Sequence, residues 1–163
     1  MPWFSLKAEN LQPGQPAPDF NLPDQQGRHH ALADYSGRWL VLYFYPKDDT
    51  PGCIREACQF RDHHQRLLER EAVVVGVSLD STASHQAFGE KYRLPFPLLS
   101  DPDGEVARRY GALFKLGPLR FARRHSFIID PKGRIARMYR KVEPDAHARQ
   151  VLEELRALQA AWP

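Results

Sequence analysis

Cys53 and Cys58 are the only cysteines of the chain, five residues apart in "YFYPKDDTPGCIREACQFRD". A bridge closing so short a loop would remove little entropy from the unfolded chain, so a structural staple explains them poorly. The spacing is also not the C-x-x-C of dithiol oxidoreductases. The residues ahead of Cys53 suggest chemistry. With Thr50 as the N-cap of a helix, Pro51 takes the first helical position, where its fixed φ fits and its missing N–H leaves nothing unpaired. Gly52 and then Cys53 follow, placing the sulfur in the first turn. There, unpaired backbone N–H groups and the positive end of the helix dipole favour a thiolate over a thiol. The Thr50 hydroxyl is positioned to donate to that thiolate or to an oxygen atom approaching it. Pro46 and Pro51 would wall the pocket against water. The plainer reading, a helix start with a small buried cysteine, stands beside the chemical one.

On an ideal helix, five residues turn by ~500° and rise by ~7.5 Å, which sets the two Cα atoms ~9 Å apart. A disulfide wants less than about 7 Å. An intact helix therefore forbids a bridge and local unwinding permits one. The pattern suits one nucleophile facing the core and one resolving thiol facing away. A zinc site from Cys53, Cys58, His63 and His64 is the competing arrangement. It fits less well, because helical ligand pairs sit four apart and adjacent histidines diverge.

Around this segment the chain offers a conventional frame. Its 163 residues fit one domain, 1–163, with residues 1–18 read as an extended Pro/Gly-rich arm. "DFNLPDQQGRHHAL" reads as two short strands about a turn, and Trp39 to Tyr45 as a buried central strand ending at Pro46. A helix follows from about Pro51 to Arg70, its core face carrying Cys53, Ala57, Phe60, His64 and Leu67. Ala72–Leu79 is a second buried strand, Ser81–Tyr92 a helix, "FPLLSDPDG" a short strand and turn, and Glu105–Tyr110 a short helix. "HSFIIDPKGRIARMYR" reads as a hairpin turning at Gly133, and Asp145–Leu158 as a last amphipathic helix. Strands alternating with helices indicate an α/β fold with a mixed β-sheet flanked by helices. A buried strand running into a cysteine at a helix start is the layout of the thioredoxin-like fold.

A net charge of +3 gives no reason to expect nucleic-acid binding. The charge is uneven, however. Lys115, Arg120, Arg123, Arg124, Lys132, Arg134, Arg137, Arg140 and Lys141 share their segment with Asp130 as its one acid. They form a solvated basic face, or a field favouring a thiolate or an acidic partner. The longest apolar run, "WLVLYFY", is far short of the ~20 residues that cross a bilayer, so no membrane association is expected. "MPWFSLKAEN" lacks the features of a signal peptide, and a cytoplasmic location is the default.

The segment "YPKDDTPGC" with its following "REAC" resembles the P-x-x-x-T-x-x-C active-site motif of peroxiredoxins. More narrowly, it is similar to the bacterioferritin comigratory protein/peroxiredoxin Q subfamily. "GQPAPDFNLPDQQG", "VVGVSLDS", "KYRLPFPLLSDPDGEVARRYG" and "RRHSFIIDPKGRI" extend the likeness over nearly the whole chain. The resemblance implies that Cys53 is the peroxidatic cysteine, with Thr50 and Pro46 its motif partners and Gly52 giving close backbone approach. It implies that Cys58 is the resolving cysteine and that Arg124 helps hold thiolate and peroxide. Ile54 departs from the threonine common after the nucleophile, adding an apolar wall, and "SLDS" lacks a frequent proline. The expected enzyme is a monomeric thiol peroxidase that needs no metal or organic cofactor. It would reduce hydrogen peroxide and organic hydroperoxides and be recycled by thioredoxin or a similar dithiol. A redox-sensing or disulfide-relay module of the same fold, without fast turnover, is the alternative.

Overall fold

The computed structural model describes residues 11–163, so residues 1–10 of the expected arm lie outside the described residues. The architecture is organised about β3 (Trp39–Phe44), whose six residues are all buried. A strand covered on both faces must be apolar throughout, and "WLVLYF" is. Period-two alternation sends Trp39, Val41 and Tyr43 into one core and Leu40, Leu42 and Phe44 into the other. The five-stranded sheet runs β5-β4-β3-β8-β9. β4 (Ala72–Ser78) and β5 (Leu98–Ser100) continue parallel to β3, while β8 (Ser126–Ile129) and β9 (Ile135–Tyr139) complete the other half antiparallel.

Each parallel step needs a crossover, which the helices supply. α1 (Pro51–Glu69) links β3 to β4, and α2 (Thr82–Tyr92) links β4 to β5. α4 (His147–Ala160) packs beside α1, burying Val151, Leu152 and Leu155 in the core that also holds Cys53, Phe60 and Leu67. On the other face, Leu11, Ala17, Phe20 and the short α3 (Glu105–Arg109) cover Leu40, Leu42 and Phe44. The described part of the arm is tied down: Gly14 N–H donates to Ile135 O at 2.7 Å and Ala17 N–H to Gly133 O at 2.9 Å. β1 (Asn21–Pro23) and β2 (His29–Ala31) pair antiparallel, as expected, and a 3-10 turn at Leu32–Tyr35 leads into β3.

The structure adds one element that sequence reading did not anticipate. β6 (Leu113–Leu116) and β7 (Leu119–Ala122) form a separate two-stranded hairpin turning at Gly117-Pro118. It is held by Phe114 stacked on Phe121, ring centroids 4.5 Å apart, with the Arg123 guanidinium over Phe114. β7 then leads, in two residues, to Arg124. The C-terminal ends of β3 and β4 and the β7–β8 link thus converge on the start of α1.

Candidate active site

Thr50 occupies the N-cap of α1 with extended dihedrals (φ −101°, ψ 152°), and Pro51 is the first helical residue. The first helical bond, Ile54 N–H to Thr50 O, is 2.8 Å. Cys53 therefore lies in the first turn, as expected, and is only 1% exposed. The Thr50 hydroxyl does not donate to the sulfur. It donates to Lys47 O at 2.8 Å, closing the Lys47–Thr50 turn, so only its lone pairs are free. Pro46 and Thr50 are half-buried.

Arg124 reaches the same point from the β7–β8 link. Its Nη2 lies 3.4 Å from Cys53 Sγ and its Nη1 donates to Glu56 Oε1 at 2.8 Å. Burial works against the guanidinium charge, yet Glu56 and Cys53 together hold its pKa above the ordinary value. Gly52 makes this approach possible. A Cβ there would sit 3.0 Å from Arg124 Nη2 and 3.8 Å from the Pro144 ring. Glu56 is wholly buried, and burial pushes its carboxyl up to about 7 against the pull of Arg124. Among the described residues, its Oε2 has no hydrogen-bond partner, and neither has the buried Tyr43 hydroxyl. Tyr43 itself fits against β4 because Gly76 faces it, where a Cβ would meet the ring at 3.0 Å.

The loop between β3 and α1 is fixed from beneath by a buried polar network. Asp48 accepts from Tyr45 Oη at 2.6 Å and Ser84 Oγ at 2.8 Å, and pairs with His85 Nδ1 at 2.7 Å. His85 Nε2 reaches Leu99 O at 2.9 Å, and Asp48 N–H donates to Asp80, which also accepts from Ser78 Oγ. Asp49 takes the left-handed conformation (φ 59°) immediately before the cap. Lys91 Nζ and Tyr92 Oη, 2.9 Å and 3.0 Å from its carboxylate, hold it there.

Cys58 is half-buried within the same unbroken helix as Cys53, and both are free thiols. The zinc alternative is not supported. Among the described residues, the only His/Cys/Asp/Glu group drawn close enough to share an ion is Asp48, Asp80 and His85, whose polar atoms already bond one another. His63 instead turns to Gln59 O at 2.9 Å, and His64 packs against Phe96. Of the basic segment, Arg124 alone turns inward; the other members are exposed.

The AhpC/TSA family model matches residues 13–138 of this chain. Peroxiredoxin Bcp of Bacillus subtilis is 42% identical over 152 residues, which are 90% of this chain and 96% of the relative. The chain belongs to the AhpC/TSA family. Two solved structures place it further within that family. Peroxidoxin BcpB from Mycobacterium tuberculosis superposes with a TM-score of 0.85 at 37% identity, over 90% of this chain and 97% of that one. The bacterioferritin comigratory protein of Xanthomonas campestris, whose alkyl peroxide reduction activity has been described, gives 0.83 at 32% identity, over 90% and 98%. The chain is thus a peroxiredoxin of the Bcp/peroxiredoxin Q group, with the thioredoxin fold. Peroxiredoxins are thiol peroxidases, oxidoreductases that take hydroperoxide substrates and electrons from a thiol.

Sequence reading of this peroxiredoxin overlooked Glu56, Asp48 and His85. Glu56 had a signal: it stands three after Cys53 and four before Phe60, on the apolar stripe of α1, where a carboxylate needs a buried partner. Asp48 and His85 are 37 residues apart, and no local pattern joins them.

Proposed function

We propose that Cys53 is the peroxidatic thiolate of a thioredoxin-dependent peroxidase and Cys58 its resolving thiol. The observation that carries this reading is the Arg124 guanidinium 3.4 Å from a sulfur in the first turn of α1. The thiolate attacks the terminal oxygen of ROOH. The S–O bond forms, the O–O bond breaks, and the leaving RO⁻ takes a proton to become ROH. Arg124 and the free N–H groups of the helix start stabilise charge on the reacting oxygens. Thr50, its hydroxyl donating a hydrogen bond to the Lys47 carbonyl, offers lone pairs to the peroxide O–H, and Pro46 shields the sulfur. Cys53 is left as a sulfenic acid.

The start of α1 then unwinds and the Cys58 sulfur attacks Cys53. Water leaves and an intramolecular disulfide forms. A dithiol protein such as thioredoxin takes over the disulfide and restores both thiols. No metal or organic cofactor enters any step, and the unit is read as a monomer. Recycling by a dithiol fits a reducing compartment, cytoplasmic on this reading.

Peroxide consumption coupled to thioredoxin and its reductase tests the proposal, with hydrogen peroxide compared to an alkyl hydroperoxide. Wild type should turn over many times per chain and Cys53→Ser not at all. Turnover by Cys53→Ser above a few per cent of wild type would overturn it. Stoichiometric oxidation without turnover would favour the disulfide-relay alternative.

A further inference from the structure

Two acidic groups and one cation meet at the start of α1. Arg124 touches the Cys53 sulfur with Nη2 at 3.4 Å and Glu56 Oε1 with Nη1 at 2.8 Å. Cys53 is 1% exposed and Glu56 0%, so water screens neither. Among the described residues, the groups packed around them supply no second cation. From β3 comes the Tyr43 phenol, kept neutral because burial, then Glu56 and Cys53, push its pKa well up. Behind Tyr43 lies Asp48, already paired with His85. From α4 comes His147, whose Nε2 is engaged by Ser126 Oγ at 2.8 Å and whose burial favours the neutral ring. From α1 itself, Arg55 turns outward to Asp145 at 3.0 Å. One guanidinium therefore serves two anions.

We propose that Cys53 and Glu56 compete for the single charge of Arg124, so that Glu56 is a positioning residue that sets, by holding or losing a proton, how fully Arg124 supports the Cys53 thiolate. The proposal rests on Cys53 being the group that attacks peroxide. With one proton in the trio, the net charge is zero in either arrangement: thiol with carboxylate, or thiolate with carboxylic acid. Passing from the first to the second breaks the S–H bond and forms an O–H bond at Oε2. Oε2 is the oxygen without a partner, so the neutral acid suits its surroundings better than the anion. Burial pushes the carboxyl up to about 7 against the pull of Arg124. Removal of the last proton leaves two anions on one cation in a dry site, and Arg124 is divided between them.

The test is the rate of the first oxidation by hydrogen peroxide, followed by stopped flow from about pH 5.5 to pH 9, for wild type and Glu56→Gln. Glutamine copies the protonated carboxyl and still accepts from Arg124. The ratio of variant to wild-type rate should be near one at the acid end and rise several-fold above about pH 8. A ratio that is constant, or that falls at high pH, would overturn the proposal. Either outcome is what a merely structural role in holding Arg124 would give.

A second measurement needs neither catalysis nor the Glu56 variant. The infrared carbonyl band of a buried carboxylic acid should persist to higher pH in wild type than in Cys53→Ser, where no thiolate competes. Identical titration of that band in the two proteins would refute the coupling. Failure of both wild type and Glu56→Gln to react with peroxide would instead overturn the assignment of Cys53 and leave the infrared comparison to decide the coupling.

Discussion

Arg124 is one of nine basic residues between Lys115 and Lys141, and its neighbour Arg123 carries the same charge one position away. Their fates differ because of what each can touch. Arg123 lies over the Phe114 ring on the hairpin, whereas Arg124 passes over Gly52 to Cys53 and Glu56. No local sequence rule separates the two, and resemblance alone pointed to Arg124. The Thr50-Pro51-Gly52-Cys53 start of α1 was legible because capping is a local matter: proline tolerates only a few helical positions and glycine admits a close neighbour. At this scale, Arg124→Ala should slow the first oxidation by on the order of 10²-fold, as expected for loss of one donor to a developing oxyanion. Its thermal midpoint should fall, because Glu56 loses its buried partner, while the fold is retained. Stopped-flow fluorescence with hydrogen peroxide checks this, and Arg123→Ala should leave the rate unchanged.

α1 is the element that must both hold the sulfur and let it go. Its first two turns carry Cys53, Glu56 and Cys58, anchored from outside by the Arg124–Glu56 pair and by Arg55–Asp145. Unwinding these turns exposes Glu56, whose carboxyl returns from about 7 towards the ordinary value of 4.5. The folded turns bind that proton more tightly than the unwound ones. Raising the pH from 4.5 through about 7 therefore favours unwinding, and lowering it favours the helix. Amide exchange of residues 51–60 in the reduced protein, corrected for intrinsic rates, should show protection falling across that interval. The start of a helix opens at lower free-energy cost than its middle. Glu56→Gln should flatten the dependence. Protection that is independent of pH in wild type would count against a proton-linked opening.

At the scale of the whole molecule, the buried strands and long helices were read correctly from period and composition, because β3, β4, α1 and α4 are specified by their own apolar patterns. The β6–β7 hairpin was not, although Gly117-Pro118 marks its turn. Its residues bury no continuous face: Ala122 alone among them is fully buried, and the Phe114–Phe121 pair ties the two strands together. The Asp48–His85 network escaped for a related reason: it joins the ends of β3 and α2, which only the parallel crossover brings together. The fold thus sets three chain segments around one sulfur, and the central claim is that this sulfur is oxidised first and Cys58 second. Intact mass after one equivalent of hydrogen peroxide, with remaining thiols trapped, tests that order directly. Wild type should lose about 2 Da as an internal disulfide and take up no trap. Cys58→Ser should gain about 16 Da as a sulfenic acid, or more on over-oxidation. Cys53→Ser should remain fully trappable at Cys58. Oxidation of Cys58 in the Cys53→Ser protein at the wild-type rate, or a wild-type disulfide joining two chains, would contradict the account.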